Sequence, residues 1–480
     1  MTDPADNSGG EFADSGERRR LQIAIISGEA SGDRVGAQLA VEIRRLRPDA
    51  VLWGTGGAHL QASGVEVVLD SSRWGVVGIV AALQLLPRIL RARTFLHREL
   101  LRRRPDIVVA IDAGAFHLGF PAIEGLLPWL KRNLPDTARF YYFPPGSWRR
   151  TLRSTTLAAV ADQVATPFPW SGEELRRLGV DATFVGHPLL DLVRPETPPR
   201  EFAEQFGIDP ERPVVGLLPG SRRQEIAHIL PIQLEAAAII HKRVPGVQFL
   251  LALAPTVERA DVVRAVERLR RKNAHMRDAL HRIEERLRDE MAGRRLPPLV
   301  TIQGTLTPLR GPDELSLRTR RQLEEARATR PSDFGLLIVE NAAYNVMAAS
   351  DVLISTSGTA TLEAALLGRA MVIMYRLSKA NYVEYQFVKK SLPQFVGMPN
   401  LLAGKQICPE FLQDAATPDA VADAVIGLLL EPDRMLRMRA DLRDAVRLLG
   451  EPGGAGRAAA MVVALADRKA SERASVREST

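Results

Sequence analysis

The sequence predicts an α/β protein built from two Rossmann-like domains, each a doubly wound parallel sheet, facing a common cleft. Three observations carry that expectation. Apolar runs of strand length alternate with helical spacing along most of the chain. The runs are apolar at nearly every position, as strands buried on both faces of a parallel sheet must be. A proline-rich polar stretch then divides the series in two.

The first series opens with LQIAIIS (Leu21–Ser27), a buried-strand run, then the loop GEASGD (Gly28–Asp33) and a helix through Arg45. VLWGTG (Val51–Gly56) and VEVVL (Val65–Leu69) read as further strands. Trp74–Arg104 starts uncharged and then alternates Leu or Ile with Arg. Its apolar residues Val76, Val77, Ile79, Val80, Leu83 and Leu86 leave two readings open: an amphipathic helix packed on the core with a solvated Arg face, or a patch in the headgroup layer of an anionic membrane. DIVVAID (Asp106–Asp112), RFYYF (Arg139–Phe143), QVATPF (Gln163–Phe168) and TFVGHP (Thr183–Pro188) complete a domain over 21–193.

Arg194–Pro213, rich in proline and charge, reads as the linker. The second domain, 214–430, begins at VVGLLPG and a helix to about Lys242. It continues through VQFLLALAP (Val247–Pro255), GLLIVE (Gly335–Glu340), DVLIST (Asp351–Thr356) and AMVIMY (Ala370–Tyr375). Between them, about 258–332 is a charge-dense helical insert whose Glu–Arg pairs suit solvated helices. Helices are expected over 431–468, and the polar ends 1–20 and 469–480 read as disordered tails.

Composition narrows the function classes. The net charge of +7 and pI near 9.7 suit phosphorylated substrates or an anionic membrane surface. No nucleic-acid-binding module is present, and the aromatic content of 5% is low for base stacking, so nucleic acid is not expected as a partner. A single cysteine, Cys408, cannot form an internal disulfide, which favours a reducing, cytoplasmic compartment. No stretch has the length of a transmembrane helix. No cluster of His, Cys, Asp or Glu has metal-ligand spacing, so no metal or cofactor is expected.

Two loops carry the chemical signal. In LLPGSRRQEI and in LISTSGTATLEAAL, an apolar strand stops at small residues and helical spacing starts at once. A helix start leaves backbone N–H groups unpaired and carries partial positive charge, so it accepts an anion, often a phosphate. Gly220, Ser221 and Arg222 in the first loop, with Ser357, Gly358, Thr359 and Glu363 in the second, therefore point to a sugar-nucleotide diphosphate. A plainer reading stands beside this one, since Ser221 and Gln224 fit a capping box that merely finishes a helix end. Neither loop ends in the G-K-[ST] of a Walker loop.

Taken with SGEASGD, WGVVGIVAAL, FVGHPLLD, LAPTVER and PNLLAGKQICPEFLQ, these motifs resemble the lipid-A-disaccharide synthase family, inverting glycosyltransferases of the GT-B fold. The resemblance covers Leu21–Leu430 apart from the insert. It implies transfer of 2,3-diacylglucosamine from UDP to 2,3-diacylglucosamine 1-phosphate at the cytoplasmic face of the membrane. The donor would lie against the two loops, with Glu363 on the ribose and Asn400 nearby. It places Asp112 as the proton acceptor, with Glu29 and Asp33 as alternative bases or acceptor contacts, and it strengthens the membrane reading of the Trp74 segment. A capping role for Asp112 and a homodimer both stay open. The resemblance weakens in the first domain, where IDAGAFH replaces the family's I-D-A-P-D-F-N, putting Ala115 at an acidic position and His117 at an asparagine. His117 is therefore a further candidate base. A transferase with a different acceptor, or a weakened homologue that only binds nucleotide sugar, are the competing expectations.

Overall fold

The computed structural model describes residues 20–28, 30–71, 79–120, 123–144, 156–272, 301–303, 336–377 and 394–478. Glu29, Val76, Val77 and the N-terminal tail lie outside them, as does most of the charged insert.

Among the described residues, each domain holds a seven-stranded, all-parallel sheet. The first contains β1 (Gln22–Ser27), β2 (Val51–Gly56), β3 (Glu66–Asp70), β4 (Ile107–Ile111), β7 (Ala138–Tyr142), β8 (Gln163–Thr166) and β9 (Ala182–Phe184), in the order β3-β2-β1-β4-β7-β8-β9. β5 (Gly119–Phe120) and β6 (Ile123–Glu124) form a small antiparallel hairpin beside it. The second contains β10 (Val214–Leu218), β11 (Gln248–Leu253), β12 (Thr301–Gln303), β13 (Leu336–Glu340), β14 (Val352–Thr356), β15 (Ala370–Tyr375) and β16 (Glu410–Leu412), in the order β12-β13-β11-β10-β14-β15-β16. The central strands are buried at almost every residue, which is why they read as unbroken apolar runs.

Both sheets reverse their winding at the centre, between β1 and β4 and between β10 and β14. Ser27 pairs with Ile111 and Leu218 with Ser355, so the loops leaving each central pair start side by side. In open α/β sheets ligands bind at such switch points, outside the carboxyl ends of the strands.

Three boundaries differ from the sequence expectation. The proline-rich linker contains a helix, Pro199–Phe206, whose Phe202 and Ala203 are buried in the second domain's core. Proline in its first turn starts that helix rather than breaking it. The stretch read as an insert supplies a helix, Arg259–Lys272, with Val262, Val266 and Leu269 in the core, and the edge strand β12. The chain's last helix runs Gly454–Glu478, through the expected tail, and crosses back to the first domain. Ala458, Ala459, Val462, Leu465 and Ala466 complete one face of that domain's core. Arg47 pairs with Asp467 at 2.8 Å, and Arg473 with Asp106 at 3.2 Å. A small-residue stripe of this kind has little amphipathic contrast, so its docking is hard to read from periodicity.

Candidate active site between the two switch points

The acceptor side is a strained turn. Asp112 and Ala113, just past β4, have φ of 51° and 41°, a left-handed conformation that L-residues other than glycine adopt at a cost. The Tyr141 hydroxyl donates to the Asp112 carbonyl at 2.7 Å, and the Asp112 N–H donates to the Tyr142 carbonyl at 3.3 Å. The Asp112 side chain is half-buried at the strand end. The following short helix, Gly114–Leu118, has Ala113 at its cap and no side-chain cap bond, so Asp112 is not its N-cap. Gly28, from the first loop, is pressed against this turn: a Cβ there would meet the Ala113 Cβ at 2.3 Å.

Two proposed chemical residues turn out to be structural. His117 is completely buried, packed edge-on against Tyr141, with Nε2 3.2 Å from the Ile111 carbonyl. Burial lowers it to about 4. A histidine with no exposed surface that braces the residue before Asp112 does not meet an acceptor. Asp33 is also buried, and its carboxylate accepts from the backbone N–H groups of Gly57 (2.6 Å), His59 (3.1 Å) and Leu60 (3.1 Å). It caps the helix Ala58–Ala62 from a distance and is committed to that role.

On the donor side the two loops differ. Gly220 has φ of 111°, and the Glu225 carboxylate fills the space where a Cβ would stand. Glu225 Oε2 accepts from the N–H groups of Ser221 (2.9 Å) and Arg222 (3.1 Å), and Oε1 accepts from Arg222 Nη1 at 3.0 Å. Only the returning half of a capping box exists here, Glu225 accepting from the Arg222 N–H one residue later than the expected Ser221–Gln224 pair, because the arginine side chain has no acceptor to complete it. The backbone donors of this loop are thus already taken by an internal carboxylate. The Arg222 side chain remains 44% exposed.

The second loop is open. Among the described residues, Gly358, at the start of the helix Thr359–Leu366 and with φ of 133°, has no side-chain cap bond and no heavy atom within 4 Å of a would-be Cβ. Gly358 and Thr359 are exposed, while Ser357 Oγ donates to the Val396 carbonyl at 2.8 Å and holds the loop. This is the helix start available to an anion. Asn400, expected beside the donor, is completely buried. Its amide donates to the Cys408 carbonyl and Glu410 and accepts from the Ile407 and Cys408 N–H groups, all at 2.7–2.8 Å. It fixes the loop behind the site.

Glu363 projects from the open helix into contact with the first domain. Its Oε1 accepts from the Tyr344 hydroxyl at 2.8 Å and lies 3.7 Å from Arg34 Nη1. Arg34 Nη2 in turn donates to the Tyr344 oxygen at 2.6 Å. Arg34 sits on the helix Ala30–Leu46 that leaves β1. The two switch points therefore face each other across one cleft. Arg34 carried no motif signal in the sequence, and Tyr344, although it opens the family-like block YNVMAASDVLIST, was assigned no role.

The helix Ile79–Arg103 has two distinct faces where its side chains are described. Ala92, Leu96 and Leu100 pack into the first domain's core, while Leu90, Phe95 and Leu101 are each more than 40% exposed. Arg91, Arg98 and Arg102 share the exposed side. The side chains of Ile79, Val80, Leu83 and Leu86 lie outside the described residues. Among the described residues no helix is long and apolar enough to cross a membrane.

A model of the family described as Lipid-A-disaccharide synthetase matches residues 23–287 and 314–463. The break at 288–313 is narrower than the insert expected at 258–332, so the charged stretch up to residue 287 lies within the family pattern. The chain is 32% identical over 451 residues to a lipid-A-disaccharide synthase of Geobacter metallireducens, covering 93% of this chain and 98% of that protein. It is 33% identical over 435 residues to one of Neisseria meningitidis serogroup B, covering 90% and 94%. Among solved structures, an S. aureus MnaA–UDP co-structure shares the fold, with a TM-score of 0.50 at 11% identity over 92% of this chain and 95% of that one.

Proposed function

The chain belongs to the lipid-A-disaccharide synthetase family, with the GT-B architecture of two facing parallel-sheet domains, and we propose that it joins two acylated glucosamines. The donor would be UDP-2,3-diacylglucosamine and the acceptor 2,3-diacylglucosamine 1-phosphate. The observation that carries this reading is the open helix start at Gly358–Thr359, set opposite the strained Asp112 turn across a cleft that Arg34 and Glu363 bridge.

Each part has a chemical task. Negative charge grows on the UDP leaving group as the glycosidic bond breaks, and the N–H groups at Gly358–Thr359 together with Arg222 would stabilise it. The Glu363 carboxylate would accept from the ribose hydroxyls. Asp112 would take the proton of the attacking acceptor hydroxyl, on the face opposite the leaving group, which yields inversion. The reading invokes no resident metal or cofactor. The exposed Leu90, Phe95 and Leu101 among arginines support a peripheral seat on an anionic membrane surface, where both acylated substrates reside.

The test is direct. Incubation with UDP-diacylglucosamine and diacylglucosamine 1-phosphate should yield disaccharide 1-phosphate and UDP. Release of UDP without the disaccharide would assign a different acceptor. Arg222→Ala should weaken UDP binding by roughly tenfold or more, as expected for a lost charge-assisted contact. Unchanged UDP affinity would remove Arg222 from the site.

A further inference from the structure

Glu363 is held in an unusual way for a ligand-binding carboxylate. It is 13% exposed, and burial raises its pKa, an effect opposed by the Tyr344 hydrogen bond and by the Arg34 charge. Both supports converge on one oxygen, Oε1. Among the described residues no hydrogen bond is made to Oε2. The Arg34 guanidinium also lies over the Tyr344 ring, 5.3 Å from its centroid, so hydroxyl and ring are engaged by the same cation. Tyr344 and Glu363 come from the second domain, on the helices Ala343–Ala349 and Thr359–Leu366. Arg34 alone comes from the first.

We propose that Arg34 is a positioning residue of the donor site: acting through Tyr344, it fixes Oε1 of Glu363 and leaves Oε2 to accept from the vicinal hydroxyls of a nucleoside diphosphate. This rests on the reading of Glu363 as the ribose contact. Its consequence is that nucleotide affinity, though housed in the second domain, depends on a side chain of the first. The rigid, planar guanidinium suits the task, because it can meet the Tyr344 oxygen through one nitrogen and face the carboxylate with another. A lysine keeps the charge but not the two-point geometry.

Calorimetric titration of the full chain with UDP, and with 2′,3′-dideoxyuridine diphosphate as a ribose-blind probe, tests the proposal. Arg34→Ala should weaken UDP about five- to tenfold, the scale of one well-placed hydrogen-bonded contact. Tyr344→Phe, a nearly isosteric change, should do the same, and Arg34→Lys should recover part of the loss. The dideoxy probe should bind all variants within about twofold of the parent. Adding Arg34→Ala to Glu363→Gln should cost nothing further, since the relay has lost its end point. In turnover, the donor KM should rise while kcat at saturating donor holds. Unchanged UDP affinity in Arg34→Ala and Tyr344→Phe, with a loss in Glu363→Gln, would overturn the relay and leave the ribose contact standing. So would an additive double variant. Unchanged affinity in Glu363→Gln itself would overturn the ribose reading instead.

Discussion

Replacing Asp33 separates a capping carboxylate from a catalytic one, because the two roles rank the same substitutions differently. The carboxylate serves three backbone N–H groups: Oδ1 takes those of Gly57 and Leu60, which are buried, and Oδ2 takes that of His59, which borders solvent. Asp33→Ala orphans two buried donors that water does not reach, at about 1–3 kcal/mol each, so a loss of roughly 3 kcal/mol is expected. Asp33→Asn keeps an amide oxygen where Oδ1 stands and gives up the solvent-side bond and the charge, for about 1 kcal/mol. For a domain of this size 1 kcal/mol moves the melting midpoint by about 2–4 °C, which predicts roughly 6–12 °C for Ala and 2–4 °C for Asn. Differential scanning fluorimetry reads both. Activity per folded molecule, measured well below either midpoint, should survive in the Asn variant. A base would behave otherwise, since neither Asn nor Ala accepts a proton and both would be dead at unchanged stability. Equal, complete inactivation with parental midpoints would refute the capping argument.

Two further predictions follow from the same geometry. Asp112→Asn should lower kcat by about 10²–10⁴, the range of a lost general base, with UDP affinity unchanged by calorimetry; retained turnover would make Asp112 structural. His117 and His187, the latter buried just past β9, are held by burial at about 4 and about 3, below the ordinary 6.5, so the folded chain keeps them neutral and unfolding lets them bind protons. Their contribution is full above pH 6.5 and is lost as pH falls from there toward the folded values. Urea midpoints should therefore fall between pH 7 and pH 5, less steeply in His117→Gln; an identical slope in both proteins would count against the buried-neutral assignment.

What was legible in the sequence is what local pattern encodes. Unbroken apolar strands announced two parallel sheets, and small residues at strand ends marked the loops at both switch points, because those features arise within a few neighbouring residues. The roles of single polar residues were not legible, because their partners lie elsewhere in the chain. Asp33 resembles a cleft acid until Gly57 to Leu60 are seen to converge on it. Asn400 resembles a donor contact until residues Ile407 to Glu410 enclose it. Glu225 does not stand out in the sequence, although its carboxylate occupies the Ser221 and Arg222 N–H groups of the first loop. Arg34 was invisible for the same reason, its partners being 310 and more residues away.

The departures at Ala115 and His117 put the uncertainty of the sequence on the acceptor side, and the structure converts that question into one about strain. Two consecutive left-handed residues at Asp112–Ala113 cost on the order of 1–2 kcal/mol each and persist only if their surroundings hold them. The holders are identifiable: Tyr141 on the Asp112 carbonyl, His117 on the Ile111 carbonyl, and Gly28 leaving room for the Ala113 methyl. Gly28→Ala would set two Cβ atoms 2.3 Å apart, so the turn carrying Asp112 has to move. A displacement of about an ångström of a reacting group costs on the order of a hundredfold in rate, so kcat should fall on that scale while UDP binding stays parental. Ala113→Gly removes the second methyl and also relieves the left-handed strain. The double variant Gly28→Ala with Ala113→Gly should thus regain most of the lost turnover. If Gly28→Ala alone keeps full activity, the Asp112 turn is not where the acceptor is activated. If it is inactive and the double variant remains so, Gly28 acts on substrate directly rather than through the turn.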